Sequence, residues 1–252
     1  MRTVLTENNT TTSTAGAWMF ARYAYAPNRL GYCGPSDATA LACPATGEDV
    51  RAVATRFSGA WPYLRVLARL TGIEDPLDHR LVESYWLGGG VAAEIDPREF
   101  GAELLAVIGP QAGHYWTHLT TDLLDESVGD HSFHVFGVYP WSRLLSRCPE
   151  QPLLVLDSCR IRWGTVVSRR GDEIRVRSRR LTWDGTELGL GEPAVERVGV
   201  SVDGLSFLPD VAPGDQVALH WDWLTDRLSD DQVDALETST WRQLEATNRR
   251  LR

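Results

Sequence analysis

The chain has 252 residues, of which 43% are hydrophobic and 23% charged, with a formal net charge of −9; that is enough for one large domain or two modest ones with real cores. An acidic balance argues against a general nucleic-acid binder, which needs a basic face to neutralise phosphates. No apolar run approaches the roughly 20 residues that span a bilayer, and residues 1–15 are polar, with no apolar signal core, so a disordered leader and a cytoplasmic location are expected.

The first predicted helix is Ala17 to Tyr25, ended by Pro27. Tyr32-Cys33-Gly34-Pro35-Ser36-Asp37 reads as a turn, with Ser36 or Asp37 capping a helix through Ala38 and Leu41. Glu48 to Thr71 carries Val53, Phe57, Ala60, Leu64, Leu67 and Leu70 near helical spacing, with a kink expected at Trp61-Pro62. Pro76 to Trp86 is another helix, stopped at Gly88-Gly89-Gly90, and Asp96-Pro97 opens one through Leu104 and Ile108. His114 to Asp125 and Trp141 to Cys148 are expected to be helical as well.

The pattern changes at Pro149-Glu150-Gln151-Pro152. Beyond it come short strand-like runs at Arg160 to Val167, Glu173 to Arg179, Glu196 to Val202 and Gln216 to His220, with turns at Arg170-Gly171-Asp172 and Val211 to Asp215. Ser229 caps a closing helix to Leu251, with Asp230 and Asp231 in its first turn. The chain is therefore expected to be α+β: a leader over 1–15, a mainly helical domain over 16–150, and a small β-barrel with a C-terminal helix over 151–252. Arginines crowd the first hairpin of that barrel, from Arg160 to Arg180, and read as a solvated face or a dock for an acidic partner.

Residues 155–240 carry a more specific pattern. It runs Cys159-Arg160-Ile161-Arg162-Trp163-Gly164-Thr165-Val166, then the hairpin, then Pro213-Gly214-Asp215-Gln216-Val217-Ala218-Leu219-His220 and the acidic-capped helix. This resembles the HypC/HupF family of nickel–iron hydrogenase maturation chaperones. The resemblance implies a small OB-like barrel that holds an iron bearing cyanide and carbonyl ligands through its leading cysteine. That iron passes between a maturation partner protein and the hydrogenase large subunit. By position the roles fall to Cys159 and His220. A thiolate is a soft ligand suited to low-spin iron, and a nearby imidazole can ligate or tune it. The family cysteine follows the initiator methionine, whereas Cys159 is internal.

The remaining chemistry lies in cysteine and histidine. All 25 basic residues are arginine, which excludes a Schiff-base lysine, a pyridoxal-phosphate anchor and a phosphate-loop lysine. Cysteines 33, 43, 148 and 159 show no CxxC spacing, so neither a disulfide framework nor a ribbon zinc site is expected. His114 and His118 are four apart and His131 and His134 three apart. Such pairs can supply two metal ligands each, with Cys33, Glu126 or Asp130 as completions, or serve as polar handles in an aromatic core. Cys33, at a turn before a helix start, is a candidate nucleophile or haem ligand. Three readings follow. One is a maturation or delivery protein working through Cys159 and His220. The second is a cysteine-, metal- or haem-dependent enzyme sited in the helical half. The third is a pure interaction protein with no site at all.

Overall fold

The computed structural model describes residues 3–42, 46–111, 116–171, 173–200 and 206–252. By their packing they form two compact units, Met1–His131 and Ser132–Arg252, and the α+β class expected from the sequence is the class observed.

The first unit is helical. Its long helix α1 (Thr3–Arg29) includes most of the segment read as a leader, and it carries Pro27 in its last turn rather than ending ahead of it. The single helix expected over 48–71 is two, α2 (Gly47–Ala54) and α3 (Ala60–Thr71). Pro62 falls in the first turn of α3, where a missing N–H costs least, so the proline starts a helix instead of kinking one. Helix α4 (His79–Leu87) is capped by Asp78, which accepts from the Arg80 N–H at 3.0 Å. Helix α5 (Pro97–Ile108) is capped by Asp96 with Pro97 at its first position, as its sequence indicates. In place of the helix expected over 114–125 there is a turn at 116–119 and a 3-10 segment, Thr121–Asp125; residues 112–115 lie outside the described set.

Aromatic rings hold this unit together. Phe20 meets Phe57 edge-on at 5.3 Å, Tyr23 stacks on Trp86 at 5.5 Å, and Tyr63 packs against Tyr85 at 5.3 Å and Phe100 at 5.7 Å. Offset and edge contacts of this kind are the favoured ring geometries. The Trp61-Pro62-Tyr63 and Tyr85-Trp86 clusters are thus largely core.

The second unit begins at Ser132, inside the short turn α6 (His131–Phe133), which is followed by a π-helical segment, His134–Val138. The Tyr139 N–H donates to the His134 carbonyl at 2.9 Å, the wide bond that defines the bulge. Side chains take up carbonyls there: Ser142 Oγ and Arg250 both donate to Phe136 O at 2.8 Å, and Arg143 to Gly137 O at 2.9 Å. These contacts, with Ser239 Oγ on Ser132 Oγ at 3.1 Å, tie residues 132–145 to the C-terminal helix. The division by packing therefore falls before 132, while composition changes near 150.

A 3-10 segment, Pro140–Leu144, occupies part of the helix expected over 141–148. Helix α7 (Glu150–Cys159) then leads into the sheet. The strands are β1 (Arg162–Arg170), β2 (Glu173–Ser178), β3 (Leu181–Trp183), β4 (Leu188–Leu190), β5 (Ala194–Gly199), β6 (Gln216–His220) and β7 (Trp223–Arg227). Five of them close a barrel in the order β1-β2-β5-β7-β6, and β3 and β4 form a separate ribbon. All the barrel pairings are antiparallel except β5 with β7. Val166, Ile174, Val176, Val198, Val217 and Leu219 fill the interior, alternating with outward residues as a half-buried strand requires. Gly164 is obligatory: a Cβ there would lie 2.6 Å from both Val176 and the Arg177 carbonyl. Helix α8 (Asp230–Leu251) closes the chain, with Ser229 and Gln232 making a reciprocal capping box. Among the described residues no helix is long and apolar enough to cross a membrane.

Candidate metal centre

Cys159 is the last residue of α7, not the first residue of a strand, and His220 is the last residue of β6. Both are buried, at 9% and 1% exposure. They lie together because the two-residue turn after β6, Trp221-Asp222, docks on the end of α7: the Trp221 N–H donates to the Ser158 carbonyl at 2.9 Å.

His131, buried at 5% exposure, completes the group. It is the opening residue of α6 and is peptide-bonded to Ser132, the first residue of the second unit. One ligand atom from each of His131, Cys159 and His220 lies within 4.8 Å of the others, and among the described residues this is the one group of three potential ligands.

Burial pushes the Cys159 thiol up to about 12, and the Trp221 side chain works in the opposite direction. Without a cation the sulfur is therefore a neutral thiol at physiological pH, unsuited to act as a nucleophile. A bound metal ion reverses that balance, because its charge compensates the desolvated thiolate.

Beside the pair is an ionic network in which Arg160, Arg162 and Asp157 are buried while Arg180 and Asp222 are partly exposed. Arg160 donates to Asp157 Oδ1 at 2.9 Å from one guanidinium nitrogen and 3.1 Å from another, and to the Arg179 carbonyl at 2.5 Å. Arg162 donates to Glu196 and Asp222. Arg180 reaches Asp157 at 3.1 Å, Asp222 at 2.7 Å, and Glu196. Three guanidinium groups thus meet three carboxylates. Burial lowers Arg160 to about 10, against the pull of Asp157. Burial would raise the Asp157 carboxyl, but Arg160, Arg162, Arg180 and the Leu181 N–H outweigh it, and its pKa is held below the ordinary value. Arg160 and Arg162, expected on a solvated face, are instead 2% and 0% exposed. Arg175, Arg177 and Arg179 do face solvent.

The other expected ligands are placed elsewhere. His134 is buried with its ring 4.5 Å from that of Tyr139 and is held at about 4 by burial, so it is a neutral core histidine. His118 sits in the turn at 116–119, its ring beside that of Trp116 at 5.9 Å. His114 and Cys43 lie outside the described residues. Cys33 is half-buried in the turn after α1, where its carbonyl accepts from Asn28 at 2.9 Å; neither it, His118 nor His134 belongs to the metal-type group.

Residues 12–252 match the model of DUF6390, a family of unknown function. The chain belongs to that family. No curated protein and no solved structure matches it.

Proposed function

We propose that this protein of the DUF6390 family handles a transition-metal ion, iron by preference, at Cys159, His220 and His131, and acts in the maturation or delivery of a hydrogenase-type iron centre. The observation that carries the reading is the convergence of three buried soft or borderline donors from distant points of the sequence within 4.8 Å. One thiolate and two imidazoles suit iron, zinc or copper and are a poor set for magnesium or calcium. Three protein ligands leave a coordination position for an exogenous ligand, as reactive and transfer sites require.

The resemblance of residues 155–240 to the HypC/HupF barrels supplies the rest of the proposal. It points to iron carrying cyanide and carbonyl as cargo, and to a maturation protein or a hydrogenase large subunit as partner. A five-stranded closed barrel with one parallel pairing supports an OB-like assignment. A cytoplasmic location agrees with free cysteines, and the net charge of −9 agrees with a protein rather than a nucleic-acid partner. The roles divide by chemistry. Cys159 supplies the anionic ligand and releases its proton on loading, while His220 and His131 bind as neutral imidazoles.

Metal analysis with an infrared spectrum of protein purified without oxygen tests the proposal. Iron with cyanide or carbonyl stretching bands is expected, lost in Cys159→Ala and His220→Ala and kept in Cys33→Ala. Full metal content in Cys159→Ala, or a wild-type chain that takes up neither ferrous iron nor cobalt, overturns it.

A further inference from the structure

Two neighbouring rings of α4, Tyr85 and Trp86, hold one imidazole. The Tyr85 hydroxyl lies 3.1 Å from Nδ1 of His131, within hydrogen-bond range. The tyrosine and histidine rings meet edge to face at 5.5 Å between centroids, and the Trp86 ring lies 4.7 Å from the imidazole. Tyr85, Trp86 and His131 are all buried. The two holding rings are themselves fixed, Tyr85 against Tyr63 at 5.3 Å and Trp86 stacked on Tyr23 at 5.5 Å.

An imidazole turns about its Cβ–Cγ bond, a torsion that is broad and roughly two-fold. Half a turn exchanges each ring nitrogen for a carbon, so packing alone does not say which atom is offered to a ligand. The hydroxyl at Nδ1 does say, because it leaves Nε2 as the other nitrogen. A metal on Nε2 takes the lone pair of that atom, and the neutral ring then carries its proton on Nδ1. That N–H donates to the Tyr85 oxygen, which as a hydroxyl oxygen accepts. A buried hydroxyl is costly unless it is bonded. Phenylalanine would fill the same place in the ring cluster, so the hydroxyl is the part of Tyr85 that packing does not require.

We infer that Tyr85 is a positioning residue for His131: its hydroxyl fixes the orientation of the imidazole and selects Nε2 as the atom that binds the metal. The Tyr85-Trp86 pair thereby serves the core and the site at once. Outer-shell partners of ligating histidines fix the tautomer and ring direction, and their loss typically changes metal affinity about 10- to 100-fold. That His131 binds a metal rests on the reading above; the bond between the hydroxyl and Nδ1 does not.

Three measurements on the full chain keep the two apart. In metal-free protein with 15N-labelled histidine, the His131 ring nitrogens are assigned by their loss in His131→Gln. Tyr85→Phe is expected to move the Nδ1 resonance of His131 and to leave the ring of His134 in place; an unmoved Nδ1 overturns the inference. In zinc-loaded wild type, Nε2 of His131 is expected at a metal-bound shift with the proton on Nδ1. A metal-bound shift on Nδ1 overturns the assignment, and this spectrum depends on no variant folding. In a cobalt(II) titration, Tyr85→Phe is expected to weaken binding about tenfold and to keep the sulfur-to-cobalt charge-transfer band, since Cys159 is untouched. Wild-type affinity overturns the positioning role, and so does loss of the band, which marks a merely structural effect. A wild-type chain that takes up neither cobalt nor zinc overturns the metal reading, and the metal-free spectrum still decides the bond.

Discussion

In the first unit the largest fully buried side chains are rings, among them Phe20, Tyr23, Phe57, Tyr63, Tyr85 and Phe100; in the second unit they include two arginines, Arg160 and Arg162. Both regions exclude water, but they tolerate error differently. Burial of apolar atoms is non-directional and loses stability roughly in proportion to the atoms removed. An ionic network with buried members depends on its partners, since removing one weakens the compensation of the charges left in the interior. The first arrangement builds a scaffold. The second fixes directions, and it sits where direction matters, between the last residue of α7 and the turn after β6.

The largest effect that would sharpen this contrast is Arg162→Met. It removes the wholly buried partner of Glu196 and Asp222 but leaves both on Arg180, and with Asp222 half exposed it is expected to cost about 3 kcal/mol, the low end for breaking a buried pair, read by urea unfolding with a probe in the second unit. Replacing Arg162 and Glu196 together, by Met and Gln, is expected to cost less than the sum of the two single changes; strict additivity would break the claim that the network acts as a unit. Leu64→Ala, at a fully buried position of α3, is expected to cost about 3 kcal/mol through the lost transfer energy and the cavity. It should add simply with distant core changes.

His134 supplies a pH test. Its folded pKa of about 4 lies below the ordinary 6.5, so the fold favours the neutral ring. The stability it contributes is complete above pH 6.5 and is lost as pH falls toward 4, by up to about 3 kcal/mol. His134→Gln is expected to flatten that part of the stability–pH curve, and an unchanged slope would show another group at work. The smallest effect is Ser229→Ala, which removes one half of the capping box of α8 and is expected to cost about 1 kcal/mol, measured by the same unfolding.

Cys159 and His220 were legible in the sequence as candidate ligands because they stand at the two ends of a recognisable pattern. His131 was legible only as one member of a group of four, since spacing along a helix cannot tell a ligand from a core histidine such as His134. Trp221 carried no local signal at all. Turn chemistry anticipates glycine, asparagine or aspartate at such a position, so the hairpin and β7 were missed along with it. Helix α7 was hidden for a related reason: Pro149 and Pro152 read as a boundary, but proline is accommodated in a helix's first turn.

The sequence by itself determined the α+β class, the capped helices at Asp96 and Ser229, most of the barrel strands, and the absence of any lysine chemistry. These follow from short-range periodicity, capping and composition, which need no partner to be expressed. Tertiary structure alone decided that Arg160 and Arg162 are buried rather than solvated, that the packing division falls before Ser132, and that three donors from residues 131, 159 and 220 converge. Each of those depends on contacts between residues far apart in the chain, for which a single sequence carries no distance information.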